Sequence, residues 1–187
     1  MRVHRFDVFT PAECDDIVYA AAKSDQWFSF GALGSTEDLM LDQLPQSVHA
    51  MIIQRLHDVL FPTICAHYEI DDETALRMES ASPFLVRYQA NKSSGGMRKH
   101  KDNAHISYII NLSKRERFTG GGTHIYALNR TISSDQGQSV VFPSQVLHSG
   151  VGITRGERYI LSGFASLTKE YIVQKRLLSY STSFMAF

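Results

Sequence analysis

Four chemistry-bearing residues, spread widely along this chain, limit what it can fold into. His100 and Asp102 stand two apart in Arg98-Lys99-His100-Lys101-Asp102-Asn103. His148 follows only in Gln145-Val146-Leu147-His148-Ser149-Gly150, and Arg158 opens the run Arg158-Tyr159-Ile160-Leu161. On an extended strand, residues i and i+2 point to the same face. His100 and Asp102 can therefore reach one metal ion together while a later strand delivers His148. Two imidazoles and a carboxylate form a facial ligand set that leaves coordination positions open. Arg158 is a fixed cation suited to gripping a carboxylate with two parallel hydrogen bonds. A buried cation beside a metal implies an anionic ligand there.

The rest of the chain divides by periodicity. Thr10-Pro11-Ala12-Glu13 combines a Thr cap, Pro at the first helical position and Glu three after the cap, which predicts a helix to about Lys23. Its apolar side carries Cys14, Ile17, Val18 and Ala21. Residues Trp27 to Leu41 read as loop or short strands. A second helix follows Pro45, with Val48, Met51, Ile52, Leu56, Val59 and Leu60 on one face, and Pro62 breaks or restarts it. From Ser82 the pattern becomes strand-like. Strands are expected at Phe84–Tyr88, Ile106–Leu112, Thr123–Leu128, Gln138–Phe142 and Arg158–Phe164, with a closing helix from about Thr168 to Leu178. Ile106–Leu112 is apolar on both parities and so belongs at the centre of a sheet. Many short strands separated by turns indicate an antiparallel sandwich or barrel, a mainly β fold with flanking helices.

Other candidate residues divide the same way. His105 and His124 fall in expected strands, and His4, His49, His57 and His67 in terminal or helical segments; none has the spacing of a ligand. Arg155 competes with Arg158 as the anion clamp, but its turn setting, Thr154-Arg155-Gly156-Glu157, predicts exposure. Gly120-Gly121-Gly122 lacks the lysine and helix of a phosphate loop and reads as a tight turn letting the next strand pass the metal.

These motifs, in order and spacing, resemble the Fe(II)/2-oxoglutarate dioxygenases of the prolyl- and lysyl-hydroxylase branch. The matching stretches are Arg87-Tyr88, His100-x-Asp102, Gly120-Gly121-Gly122-Thr123, Ser139-Val140-Val141-Phe142, His148-Ser149-Gly150-Val151 and Ile153 through Tyr159, with Phe9 to Cys14 resembling the helical entry. The resemblance implies a double-stranded β-helix of jelly-roll type in one domain. Residues 1–80 would form a helical support, 81–167 the catalytic β core, and 168–187 a helix and tail. It also implies Fe(II) on His100, Asp102 and His148, and 2-oxoglutarate held by Arg158 and Tyr88. Asn111 would be either a further cosubstrate contact or a strand-end asparagine bonding backbone. O2 would be the co-oxidant and ascorbate an optional reductant. Collagen-type prolyl hydroxylases usually carry lysine where this chain has Arg158; arginine there resembles the lysyl hydroxylases and the oxygen-sensing prolyl hydroxylases, and the segment Phe118 to Thr123 leans towards the lysyl hydroxylases.

Two function classes lose ground on composition. The chain has 187 residues, formal net charge +0 and two cysteines. That argues against a nucleic-acid partner held by bulk electrostatics and against a disulfide framework. With no signal-like or membrane-spanning run, a cytoplasmic setting is expected. The basic clusters Arg98-Lys99-Lys101 and Lys114-Arg115-Arg117 read as solvated loop or substrate rim rather than as a nucleic-acid patch. The polar loop from Asn91 to Met97 reads either as a lid over substrate or as plain solvent loop.

The substrate is expected to be a prolyl or lysyl side chain in a polypeptide. The alternative is the same hydroxylation of a free amino acid or other small molecule. A non-catalytic metal-dependent binding module and a zinc hydrolase are the competing classes. The zinc reading leaves Arg158 and Tyr88 without a role.

Overall fold

The computed structural model describes residues 3–29, 34, 36–79, 82–92 and 96–175. Its strands and helices follow in the order β1 (His4–Asp7), α1 (Pro11–Ala22), β2 (Glu37–Met40), α2 (Gln46–Arg55), α3 (Phe61–Tyr68), β3 (Leu76–Met78), β4 (Phe84–Gln89), β5 (Ile106–Asn111), β6 (Phe118–Gly120), β7 (Thr123–Ile125), β8 (Arg130–Ile132), β9 (Gln138–Pro143), β10 (His148–Gly150) and β11 (Ile153–Leu167). An eight-stranded antiparallel sheet runs β1-β9-β5-β11-β4-β2, with β3 and β6 pairing the two ends of β11. A second sheet runs β10-β7-β8.

β11 is the spine of the large sheet because it is long enough to pair β4 on one side and β5 on the other. Alternate side chains of these strands serve two cores. Leu85, Tyr108, Ile110, Val141 and Leu161 pack against the helices, while Val86, Tyr88 and Ile160 face the other way, towards the small sheet. A sheet covered on both faces needs apolar residues on both parities, which is what β5 supplies.

α1 starts as the capping box predicts. The Thr10 amide donates to Glu13 Oε2 at 2.8 Å and the Glu13 amide donates to Thr10 Oγ1 at 3.3 Å. Glu13 also takes Arg55 of α2 at 2.7 Å, which ties the two helices. The helix after Pro45 does not break at Pro62. A π-helical turn, Leu56–Leu60, carries α2 directly into α3. Proline lacks the N–H that would bond residue 58 and its ring crowds that carbonyl; the wider π register absorbs the conflict. Ile52, Leu56, Leu60 and Ile64 form the buried stripe, whereas Val48, Met51 and Val59 are half-buried.

Four further differences from the sequence reading are local. The strand expected over Thr123–Leu128 ends at Ile125, and Tyr126–Leu128 is a 3-10 turn closed by Asn129 in the left-handed region. His105 is exposed ahead of β5 rather than in a strand, and His4 lies in β1. β1, β3 and β8, of three or four residues, had no strong periodic signal. The last strand begins at Ile153, five residues before Arg158. The closing helix is seen over residues 169–175, and its expected end lies outside the described residues. Residues 93–95 of the expected lid, and Phe30 and Gly31, also lie outside them. Among the described residues no helix is long and apolar enough to cross a membrane.

Candidate active site

The segment carrying His100 and Asp102 lies alongside β10. Met97 N–H donates to Gly150 O at 2.8 Å, and His100 and His148 exchange backbone hydrogen bonds at 2.9 and 3.0 Å. Beyond them, Asp102 N–H donates to Ser144 O at 3.0 Å, and Gln145 Nε2 donates to Asp102 O at 2.9 Å. The turn before β10 thus wraps the aspartate, and the ladder brings the second histidine beside the first.

The three side chains converge. His100 Nε2 lies 3.4 Å from Asp102 Oδ1, and His148 Nε2 lies 3.4 Å from Asp102 Oδ2. One ligand atom from each falls within 4.8 Å of the others. Each imidazole donates its Nδ1–H to a backbone carbonyl, His100 to Arg98 at 2.6 Å and His148 to Val146 at 2.9 Å. A carbonyl cannot donate, so these bonds fix the tautomer and turn both Nε2 lone pairs inward, as metal-ligating histidines require. Ser107 Oγ donates to Asp102 Oδ2 at 2.5 Å. Its own lone pair then accepts from Ser144 Oγ at 2.8 Å. Ser107, which the sequence reading did not single out, shares the parity of Ile109 and Asn111 on β5.

Electrostatics follow from this packing. The hydrogen bond to Asp102 lifts the His100 pKa above its ordinary value, against the opposing effect of burial. Burial pushes the Asp102 carboxyl up, but His100, Ser107 and the charge of His148 outweigh it and hold it below the usual range. His148, deeper, is pulled down by burial. In the metal-free chain Asp102 thus favours the protonated form of His100, and a cation would take that proton's place.

The triad opens into a cavity of about 420 Å³ between the two sheets. Arg158 lines it, 3% exposed, and burial lowers its pKa below the ordinary arginine value. Its Nε donates to Asn111 Oδ1 at 3.3 Å, while Asn111 Nδ2 is anchored on Ser113 O at 2.8 Å. Asn111 is not among the residues lining the cavity; it positions the arginine. Arg158 has no carboxylate partner among the described residues. A buried cation left so is costly unless an anion joins it. Tyr88 pairs with Arg158 across β4 and β11 and is buried, which raises its phenol pKa. Its Oη sits so close to β10 that a Cβ at Gly150 would come within 2.4 Å. The glycine turn does let the chain pass closely, but beside the arginine: Gly121, at φ 73°, lies where a Cβ would meet Arg158 Cδ at 3.2 Å. Arg155 is exposed and bonds Thr119 Oγ1, as its turn setting predicts. His124 bonds Thr131 Oγ1 at 3.1 Å and stands apart from the triad.

No family model matches the chain. The viral collagen prolyl hydroxylase of Paramecium bursaria Chlorella virus-1, solved with 2-oxoglutarate, overlays 90% of this chain and 97% of its own at TM-score 0.68 and 16% identity. The chain has the 2-oxoglutarate–Fe(II) oxygenase fold. In sequence it is similar to the prolyl- and lysyl-hydroxylase branch. It is 35% identical over 91 residues to a multifunctional procollagen lysine hydroxylase and glycosyltransferase of Caenorhabditis elegans, covering 46% of this chain and 12% of that protein. It is 29% identical over 98 residues to a PKHD-type hydroxylase of Prochlorococcus marinus, covering 46% of this chain and 44% of that protein. The chain therefore spans less than half of either curated relative.

Proposed function

We propose that this chain is an Fe(II)- and 2-oxoglutarate-dependent dioxygenase that hydroxylates a prolyl or lysyl side chain in a polypeptide. The observation that carries the reading is the meeting, in one cavity, of an open two-histidine, one-carboxylate ligand set with a buried guanidinium that has no acidic partner among the described residues. The donor set suits Fe(II), and the planar fork of Arg158 suits one end of a dicarboxylate. Both curated relatives are hydroxylases by name, and the viral neighbour was solved with 2-oxoglutarate.

In this reading His100, Asp102 and His148 hold the metal. Arg158 and Tyr88 hold the far carboxylate of 2-oxoglutarate, and Asn111 keeps Arg158 aimed. Bound together, Fe(II) and 2-oxoglutarate supply oxidative decarboxylation by O2 coupled to insertion of oxygen into a C–H bond. The chain's own part is orientation and containment. Ser107 fixes Asp102, the Nδ1 bonds fix both imidazoles, and the apolar walls at Val86, Ile109 and Ile160 exclude water. With Asp102 present, a carboxylate rather than a halide would complete the ligand set, which supports hydroxylation as the outcome. A cavity of about 420 Å³ admits a free amino acid as readily as a side chain, and this is the second reading.

The test is succinate formation from 2-oxoglutarate under air with added Fe(II), alone and with proline-rich peptides, lysine-containing peptides and the free amino acids. Stimulation by one of them names the substrate class. Failure to bind 2-oxoglutarate overturns the reading.

A further inference from the structure

The cavity wall carries two thioethers, Met97 and Met40. The two cysteines lie elsewhere, in the core that packs against the helices. Met97 comes three residues before His100, and on a regular strand that odd spacing would put the two side chains on opposite faces. Pairing with β10 changes this. His100 exchanges backbone hydrogen bonds with His148, yet the Met97 amide donates to Gly150 O at 2.8 Å. Three residues here span the interval that two span on β10. The extra residue is a β-bulge, a device that re-aims a side chain, and it leaves Met97 and His100 lining the same cavity.

The bulge is held from both sides. Met97 bridges Gly34 as well as bonding Gly150. A Cβ at Gly34 would come within 3.1 Å of Met97 Cα, and one at Gly150 within 3.3 Å of its Cβ and Cγ. Gly150 thus leaves the room that Met97 and the Tyr88 hydroxyl fill. Gly150 is two residues from His148, about 7 Å along the strand, so Met97 stands one pleat from a metal ligand. Met40 is remote by comparison. β2 turns Thr36, Asp38 and Met40 to the cavity, but Met40 reaches β5, whose Ser107 fixes Asp102, only across three strand pairings, through Phe84 and Ser162 to Ile109. That is on the order of 14 Å by strand spacing.

A thioether is oxidised by accepting one oxygen atom on a sulfur lone pair, with no bond to break. When 2-oxoglutarate is consumed without substrate, one oxygen atom of O2 has no C–H bond to enter. We propose that Met97 takes it, so that the chain oxidises its own Met97 to the sulfoxide during substrate-free turnover. This rests on the dioxygenase reading and goes beyond it. The C1–C2 bond of 2-oxoglutarate breaks and releases CO2. One atom of O2 enters the new carboxylate of succinate, and the other forms the sulfur–oxygen bond. O2 takes up four electrons, two from the cosubstrate and two from sulfur, and no proton is left over. The product sets a polar group beside the Tyr88 hydroxyl, and sulfoxide reductases reverse it.

The experiment incubates the full chain with Fe(II), 2-oxoglutarate and catalase under isotopically heavy O2, without substrate. Succinate is assayed, and the peptides carrying Met97, Met40 and Met51 are mapped by mass spectrometry. Met97 should gain one heavy oxygen atom, at a level on the order of tenfold or more above Met40 in the cavity and Met51 outside it, because a held group outcompetes a distant one. The label should vanish when Ni(II) replaces Fe(II) or 2-oxoglutarate is left out. A peptide that stimulates succinate formation should lower the label per succinate formed, since both compete for one oxygen atom. Succinate formed without substrate while Met97 stays a thioether overturns the proposal and leaves the dioxygenase reading standing. Equal labelling of the three methionines, label that persists with Ni(II), or succinate that forms only once a peptide is added has the same force. Absence of succinate under every condition overturns the dioxygenase reading, and the proposal with it.

Discussion

His100 and His148 are joined through their backbones, each amide donating to the other's carbonyl at 2.9 and 3.0 Å. Their rings consequently lie 4.3 Å apart between centroids. Strand pairing, not the side chains, places these two ligands side by side, so truncating one should leave the frame intact.

His148→Ala is therefore expected to keep the wild-type far-ultraviolet dichroism and a cooperative melt while losing stoichiometric Ni(II) or Fe(II) binding by calorimetry. Unchanged metal affinity in a folded variant would remove His148 from the metal centre.

Ser107→Ala removes the hydroxyl that donates to Asp102 Oδ2 and leaves Ser144 without its acceptor. Metal affinity should fall about tenfold to a hundredfold, the usual effect of losing a group that orients a ligand. An affinity within error of wild type would show that Asp102 is held well enough without it.

Metal binding should depend on pH with a definite sign. The pKa of His100 lies above its ordinary value in the metal-free chain because Asp102 stabilises its proton. A ligating imidazole must be neutral, so metal and proton compete. Affinity should fall as pH drops through that raised value, and binding there should release a proton. Titrations in buffers of different ionisation enthalpy measure that release; a buffer-independent heat would contradict the competition.

Thr10→Ala removes the Oγ acceptor of the α1 capping box. The cost should be about 1 kcal/mol, a fall in Tm of roughly 2–4 °C for a domain of this size. Metal binding should be unaffected, because α1 packs on the face of the sheet away from the cavity. A thermal melt of metal-free protein checks the first expectation and calorimetry the second.

Where a residue's neighbours in sequence are also its neighbours in space, the sequence could be read directly. The cap at Thr10 and Glu13 is local, and the common face of His100 and Asp102 follows from strand parity. The burial of Arg158 was legible as a cation opening an apolar strand. What escaped depends on pairing across distance. β1 and β8 are too short to show a period and exist because β9 and β7 offer edges to them. Tyr126 to Leu128 alternate suitably for a strand, yet the left-handed Asn129 closes a 3-10 turn there. Asn111 was open between two roles until its Oδ1 was seen against Arg158 Nε. Asp38 sat in a stretch read as loop or short strands, where no parity could be assigned, and only the register with Val86 turns it into the cavity.

The central claim is that Arg158 is the anchor of a dicarboxylate beside a metal. It is tested most directly by the affinity for 2-oxoglutarate of the Ni(II)-loaded protein, wild type against Arg158→Ala, measured by calorimetry. Losing one partner of a buried charge pair costs about 2–5 kcal/mol, so the account predicts a fall of about thirtyfold or more. The metal should remain bound in both proteins. Equal affinity for 2-oxoglutarate in the two would contradict it.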